Sequence, residues 1–304
     1  MFRRVSNTVF SLRKCRHRSY SALTPEADLS VFAQKKHTLV SLRKLMETGN
    51  GSLLANFEKY LKSPKRTEAL EQSQRISIQI ACFLHRELAV RLAHRAVSLQ
   101  ATSAFKSSAH IQQVCNGYKE SFAEIRSLHV PSSPETEKVF ASRLQNIYDR
   151  HASTLLNMAK GANEIRLNLI KDANDKNVVL QQEIQDTLNE FYSSRIAIRT
   201  LLAQYLALRE PAREDMIGLV DLKTSVYDIA QCAVENAEYI CQRAHGDSPP
   251  VEIIGRSDLV FPYVPAHIEY ILVELLKNSM RATVETHGLD NLRPIKIIIA
   301  NGEG

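Results

Sequence analysis

The stretch Glu274-Leu275-Leu276-Lys277-Asn278-Ser279-Met280-Arg281-Ala282-Thr283 is the most informative pattern in this chain. On a helix, at about 100° per residue, Glu274, Asn278 and Arg281 fall at positions i, i+4 and i+7, and Lys277 lies beside them. These four residues, which we call the motif face, gather a carboxylate, an amide and two cations. The same spacing predicts an apolar remaining face formed by Leu272, Leu275, Leu276 and Met280.

This combination of side chains suits a metal-bound polyphosphate. An amide oxygen can ligate a hard cation, and basic side chains can bind phosphate oxygens. The neighbouring carboxylate is then left to accept a proton. The alternative is the solvated face of an ordinary amphipathic helix, and the spacing alone leaves both interpretations open.

Length and composition indicate a soluble protein of one large or two ordinary domains. The chain has 304 residues, of which 44% are hydrophobic and 24% charged, and no apolar run approaches the ~18 residues of a membrane span. The net charge of +6 lies in the first 25 residues, which hold six basic residues and no acid; 33 basic and 33 acidic residues remain. We therefore expect no nucleic-acid partner.

The N-terminal sequence predicts targeting to mitochondria. Residues 1–20 are rich in arginine, contain serine and lack acids, which is typical of a transit peptide, and the alternative is a basic arm. Arg18-Ser19-Tyr20-Ser21 is similar to a matrix-protease site, so we expect import into the matrix. The five cysteines form no C-x-x-C pair, and buried, reduced thiols and no zinc site are expected.

Two domains with a boundary near residues 209–217 are predicted from hydrophobic periodicity. Residues 28–208 read as an antiparallel helical bundle with helices at 29–48, 52–62, 70–101, 108–127, 134–168 and 174–208. Residues 218–304 read as an α/β layer with helices at 222–243 and 266–287 and strands at 251–254 and 295–300.

Several motifs resemble one family of kinases. Glu-x-x-Lys-Asn-x-x-Arg-Ala looks like the N-box of the mitochondrial kinases that act on pyruvate and branched-chain 2-oxo acid dehydrogenase complexes, which have a GHKL-type ATP site. Further similarities to that family occur at 83–91, at 150–159, at 191–199 and at 261–265. Ala89 stands where the family usually has proline, and Tyr270 stands where many members have a histidine that tunes the glutamate.

The resemblance implies an α plus α/β fold: an N-terminal antiparallel helical bundle followed by an incomplete GHKL (Bergerat) α/β sandwich. It implies ATP and Mg²⁺ as cofactors, with Asn278 as the Mg²⁺ ligand and Glu274 as the general base. Lys277 and Arg281 would balance polyphosphate charge, and Ala282 would leave room beside the nucleotide.

The function implied is that of a protein serine kinase that phosphorylates and inactivates the E1 component of a 2-oxo acid dehydrogenase complex, pyruvate favoured over branched-chain. Expected partners are E1 and the lipoyl-bearing E2, with a homodimer when full length. No Asp-x-Gly-x-Gly loop follows the last strand, so we expect a C-terminally truncated form of low activity. The alternative is a non-catalytic helical module that binds the complex core or full-length kinase subunits.

The helical half offers further polar candidates, which we expect to be structural. His151 lies on an apolar helix face and is predicted to be a hydrogen-bonded core histidine. Arg195 and Arg199, one turn apart, are predicted to be ion-paired scaffold residues.

Overall fold

A computed structural model describes residues 25–52, 71–171, 176–211 and 213–302. The chain divides into two compact units between Arg209 and Glu210. The transit peptide predicted at 1–20 and the helix predicted at 52–62 lie outside the described residues, apart from residue 52. The predicted α plus α/β class, with the helices first, is confirmed.

The helical unit is built around one long central helix. In the described residues its helices are α1 (Pro25–Ala33), α2 (Leu42–Gly49), α3 (Gln72–Ala101), α4 (Ala109–Ser127), α5 (Pro134–Arg150), α6 (Thr154–Lys171) and α7 (Lys176–Ala207). α3 packs against α1, α4, α5 and α7, and it is buried around much of its circumference, as expected of a central helix. Its buried residues join those of the surrounding helices in one hydrophobic core.

The single helix predicted at 29–48 was wrong, because the chain is extended between α1 and α2. Thr38 donates its backbone N–H to Glu87 Oε1 (2.8 Å) and its hydroxyl to Glu87 Oε2 (2.9 Å). Arg91 donates to the Thr38 carbonyl (2.6 Å). These bonds to α3 replace the bonds that a continuous helix would make, and α2 begins afresh after Ser41, whose side chain caps it.

The helix predicted at 134–168 is also divided. A 3₁₀ turn, His151–Ser153, separates α5 from α6. The start of α5 agrees with the sequence: Pro134 occupies the first turn and Ser133 caps it in a reciprocal capping box with Thr136.

The α/β unit contains, in chain order, β1 (Met216–Ile217), β2 (Val220–Ser225), α8 (Val226–His245), β3 (Val251–Gly255), β4 (Val260–Tyr263), α9 (Pro265–His287) and β5 (Ile295–Ile299). β2 pairs antiparallel with β1 and with β4 in one sheet, and β3 pairs parallel with β5 in a second. Parallel β3 and β5 are joined through α9, as a parallel pair requires a crossover.

Three strands of this unit, β1, β2 and β4, were missed by the sequence prediction. The helix predicted from residue 222 begins only at Val226, because residues 222–225 belong to β2. The Ser225 hydroxyl caps the helix by accepting a hydrogen bond from the backbone N–H of Asp228. β4 contains Pro262 and was read as loop. It lies at the edge of its sheet, where a residue without a backbone N–H is tolerated.

The core of the α/β unit lies between α8, α9 and one face of the β3–β5 sheet. Ala233, Ala237 and Cys241 of α8 pack against Leu276 and Met280 of α9. The small α8 residues bring the two helices close together. Val251, Ile295 and Ile297 cover this core from the sheet, whereas Ile254 and Ile298, paired on the opposite face, are exposed.

The cysteines follow the prediction of buried thiols only in part. Cys115 and Cys241 are buried and Cys82 is half-buried, but Cys232 on α8 is exposed, so the prediction was wrong there. Among the described helices, none is both long enough and apolar enough to cross a membrane.

Candidate functional site

α9 carries the motif face, and its ends are set by local sequence. Pro265 stands in the first turn, where its missing N–H and fixed φ suit a helix start. Gly288 ends the helix at φ 71° and donates its N–H to the Val284 carbonyl (3.0 Å). The helix is held to α8 through its apolar face, so the motif face is presented on a supported element.

The apolar face of α9 is narrower than predicted. Leu276 and Met280 are buried, and Leu272 packs partly against the same core. Leu275 is 57% exposed, so its predicted burial was wrong. Tyr270, one turn before Glu274, is 59% exposed, as is much of Ile271. The motif face is therefore bordered by exposed apolar side chains.

The structure brings the predicted site residues together on the solvent side of α9. Asn278, Arg281 and Ala282 are exposed, and Glu274 and Lys277 are half-buried. Since they lie within two turns of one helix, their relative positions follow from helix geometry and need no long-range contact.

Both cations of the motif face are paired with carboxylates. Lys277 Nζ lies 2.8 Å from Glu274 Oε1, and Arg281 Nε lies 2.7 Å from Glu285 Oε1. Glu285 was not singled out from the sequence, although its position four residues after Arg281 is the signal that could have identified it. Its hydrogen bond holds the pKa of the Arg281 guanidinium above the ordinary value.

The donor set fits a magnesium polyphosphate. The exposed Asn278 amide offers an oxygen ligand of the kind that Mg²⁺ accepts, and the two neighbouring cations can meet phosphate oxygens. The Glu274 carboxylate lies one turn before Asn278, within the same exposed surface. The arrangement can therefore combine metal binding, charge neutralisation and proton acceptance.

A second polar cluster lies inside the helical unit. His151 is buried, in agreement with the prediction, and its Nε2 lies 3.0 Å from Ser121 Oγ. Burial, reinforced by Arg150, Arg195 and Arg199, lowers the pKa of His151 to about 4, so the ring is neutral at pH 7.

The arginines of this cluster were only partly predicted. Arg195 and Arg199 donate to the main-chain carbonyls of His151 and Tyr148, each at 3.4 Å. Among the described residues neither forms a salt bridge, so the prediction of ion pairs was wrong. Arg95 of α3 is also buried and was not singled out, since nothing in its local spacing sets it apart.

A cavity of about 490 Å³ adjoins His151. Its wall includes Asn116 and Gly117 of α4, Arg150, and Asn157 of α6. Gly117 packs beside the His151 ring: a Cβ at Gly117 would lie 3.8 Å from His151 Cε1, which is an ordinary contact.

Comparison with known proteins identifies the family. A family profile described as mitochondrial branched-chain alpha-ketoacid dehydrogenase kinase matches residues 40–221, more than half of the chain. The chain belongs to the mitochondrial 2-oxo acid dehydrogenase kinase family. The predicted family and the mitochondrial assignment are thereby confirmed. Because the profile match ends before α9, it supports the family on residues independent of the motif face.

Curated relatives in this family are named [pyruvate dehydrogenase (acetyl-transferring)] kinase, mitochondrial. The Arabidopsis thaliana protein is 33% identical over 280 residues, which is 90% of this chain and 69% of the relative. The Schizosaccharomyces pombe protein is 40% identical over 169 residues, 54% of this chain and 38% of the relative. The Ascaris suum protein is 33% identical over 233 residues, 72% and 57% respectively. The chain thus spans between about two fifths and two thirds of these relatives.

Proposed function

We propose that the chain is part of an ATP-dependent protein serine kinase that phosphorylates the E1 component of a mitochondrial 2-oxo acid dehydrogenase complex. The observation that carries this proposal is the motif face, on which one supported helix presents a carboxylate, an amide and two cations to solvent. Membership of the kinase family adds the reaction class.

Each residue of the motif face has a role in this proposal. Bound ATP and Mg²⁺ would supply the transferable phosphoryl group and the cation that neutralises its charge. Asn278 holds the cation through its side-chain oxygen, and Arg281 and Lys277 balance phosphate charge. Glu274 accepts the proton of the substrate serine hydroxyl, and Ala282 leaves space beside the nucleotide. A base in this position contributes about 10²- to 10⁴-fold in rate.

The partners proposed are E1 and the lipoyl-bearing E2 of the complex, in the mitochondrial matrix, and we propose that the kinase forms a homodimer. Between the two substrate classes we propose pyruvate dehydrogenase. The name of the Arabidopsis thaliana relative, which covers 90% of this chain, supports it, while the profile description names the branched-chain enzyme. Phosphate incorporation into purified E1 from each complex, measured side by side, tests the choice: faster labelling of branched-chain E1 would reverse it.

Nucleotide binding provides the primary test. Isothermal titration calorimetry of the chain with ATP and Mg²⁺ at millimolar nucleotide should show binding that Asn278→Ala abolishes. Ser279→Ala is the matched control, because Ser279 is exposed on the same helix, points away from the motif face and bonds the Leu275 carbonyl (2.9 Å). Absence of binding in the parent chain, or equal loss in both variants, would overturn the proposal.

A further inference from the structure

Lys277 of α9 forms a hydrogen bond with Glu274, and a phosphate-binding role of Lys277 alone does not explain this bond. Its ammonium lies 2.8 Å from the carboxylate that the proposed function assigns as the base. A carboxylate oxygen that accepts a hydrogen bond from an ammonium is occupied and cannot at the same time accept the proton of a substrate hydroxyl. In this arrangement, Glu274 is held in place and its Oε1 is occupied.

The Glu274–Lys277 pair can open so that Lys277 binds phosphate instead. The two side chains are 44% and 36% exposed and lie three residues apart on one helix. Pairs of this kind are individually weak, whereas a polyphosphate offers several negative oxygens to a single ammonium. Lys277 also lies one residue from Asn278, so phosphate held at Asn278 lies within the reach of its flexible side chain.

We propose that Lys277 is a positioning residue that restrains Glu274 until polyphosphate draws it away. This inference rests on the proposed function. In the structure Lys277 is bonded to Glu274. When polyphosphate binds, Lys277 moves its ammonium to phosphate oxygens, and the Glu274 carboxylate becomes free to accept the hydroxyl proton. Binding of the phosphoryl donor thus releases the base.

Arg281 provides a comparison within the same helix. It is also paired, but with Glu285, on the side of Arg281 away from Glu274. An exchange of Arg281 from Glu285 to phosphate leaves the Glu274–Lys277 pair intact. The restraint on the base therefore depends on Lys277 specifically.

A double-mutant cycle measured by calorimetry tests this inference. The parent chain, Glu274→Gln, Lys277→Met and the double variant are titrated with ATP and Mg²⁺, and with inorganic tripolyphosphate, at low ionic strength, where such pairs count most. Glu274→Gln should increase the affinity for polyphosphate when Lys277 is present, because Lys277 no longer has to leave a carboxylate. In the Lys277→Met background, the increase in affinity caused by Glu274→Gln should be about twofold smaller, which is the size typical of a pair of this spacing.

The controls separate the possible failures. Glu252→Gln removes the same charge from the β3–β5 sheet of the same unit and should leave affinity unchanged. Circular dichroism melting verifies that each variant is folded. Equal tightening by Glu274→Gln in both backgrounds, or no tightening, overturns the role of Lys277 while leaving the proposed function standing. Absence of ATP binding in the parent chain overturns the proposed function and this inference together.

Discussion

Replacement of Gly161 of α6 is predicted to destabilise the contact between α6 and the start of α4. A Cβ at this position would lie 2.5 Å from Ile111 Cγ1 and 2.8 Å from Ser108 Oγ. Neither neighbour can move freely. Ile111 is fully buried, and the Ser108 hydroxyl both caps α4 and donates to Glu164 Oε2 (2.7 Å).

The expected cost of Gly161→Ala follows from these contacts. Overpacking of a well-packed core costs about 1–3 kcal/mol, and displacing the Ser108 cap costs about 1 kcal/mol more. Alanine recovers about 1 kcal/mol through its higher helix propensity. We therefore expect a net destabilisation of about 1–3 kcal/mol. For a unit of this size that lowers Tm by about 2–12 °C.

The measurement is urea and thermal unfolding of the parent and the variant, followed by circular dichroism. Gly117→Ala is the matched control, since Gly117 is also a helix glycine but its Cβ would have an ordinary 3.8 Å contact with His151. That variant should be more stable than the parent by about 0.5–1 kcal/mol. If Gly161→Ala were as stable as Gly117→Ala, the close approach of α6 to α4 would be refuted.

Two further predictions concern the other polar and glycine positions. Gly255→Ala should selectively unfold the α/β unit, because φ is +116° and a Cβ would lie 2.0 Å from the Ile299 carbonyl oxygen. Gly246→Ala, with φ +96° and open space around the Cβ, should lower the free energy of unfolding by only about 1–3 kcal/mol. Equal melting temperatures of the two variants would contradict this prediction. His151 should make stability fall as pH drops from 6.5, because the unfolded chain takes up a proton that the native ring accepts only near pH 4. The free energy of unfolding should fall by about 3 kcal/mol at pH 4 in the parent and by less in His151→Asn. Identical pH profiles of the two proteins in urea titrations would exclude this role of His151.

Element type could be predicted from the sequence where one helix face is buried over many turns. α3, α4 and α7 were located to within a few residues, because their apolar periodicity continues along their whole length. The breaks were missed where a side chain from another helix competes for the backbone. Glu87 and Arg91, about fifty residues from Thr38, decide that the chain is extended there, and no local pattern reports a contact of that range.

The strands were harder to predict because they are short and half-polar. β2 carries Asp221 and Lys223 between buried Val220 and Thr224, which is a period of two over too few residues to outweigh the helical pattern that follows. Ser225 and Asp228 were the local signal for the true helix start. β4 was hidden by its proline, whose tolerance depends on a position at the sheet edge that only the pairing order reveals.

The candidate site shows where helix geometry could have corrected the sequence prediction by itself. Leu272, Leu276 and Met280 follow one another in steps of four, so each step turns only about 40° and all three can face α8. Leu275 lies about 100° from Leu276, the middle residue of this stripe, and so falls outside the face that contacts α8. Its exposure is thus a consequence of α9 having its core on one side. The same geometry places Lys277 one turn from Glu274, so the pair that restrains the proposed base is encoded in the spacing of the motif itself.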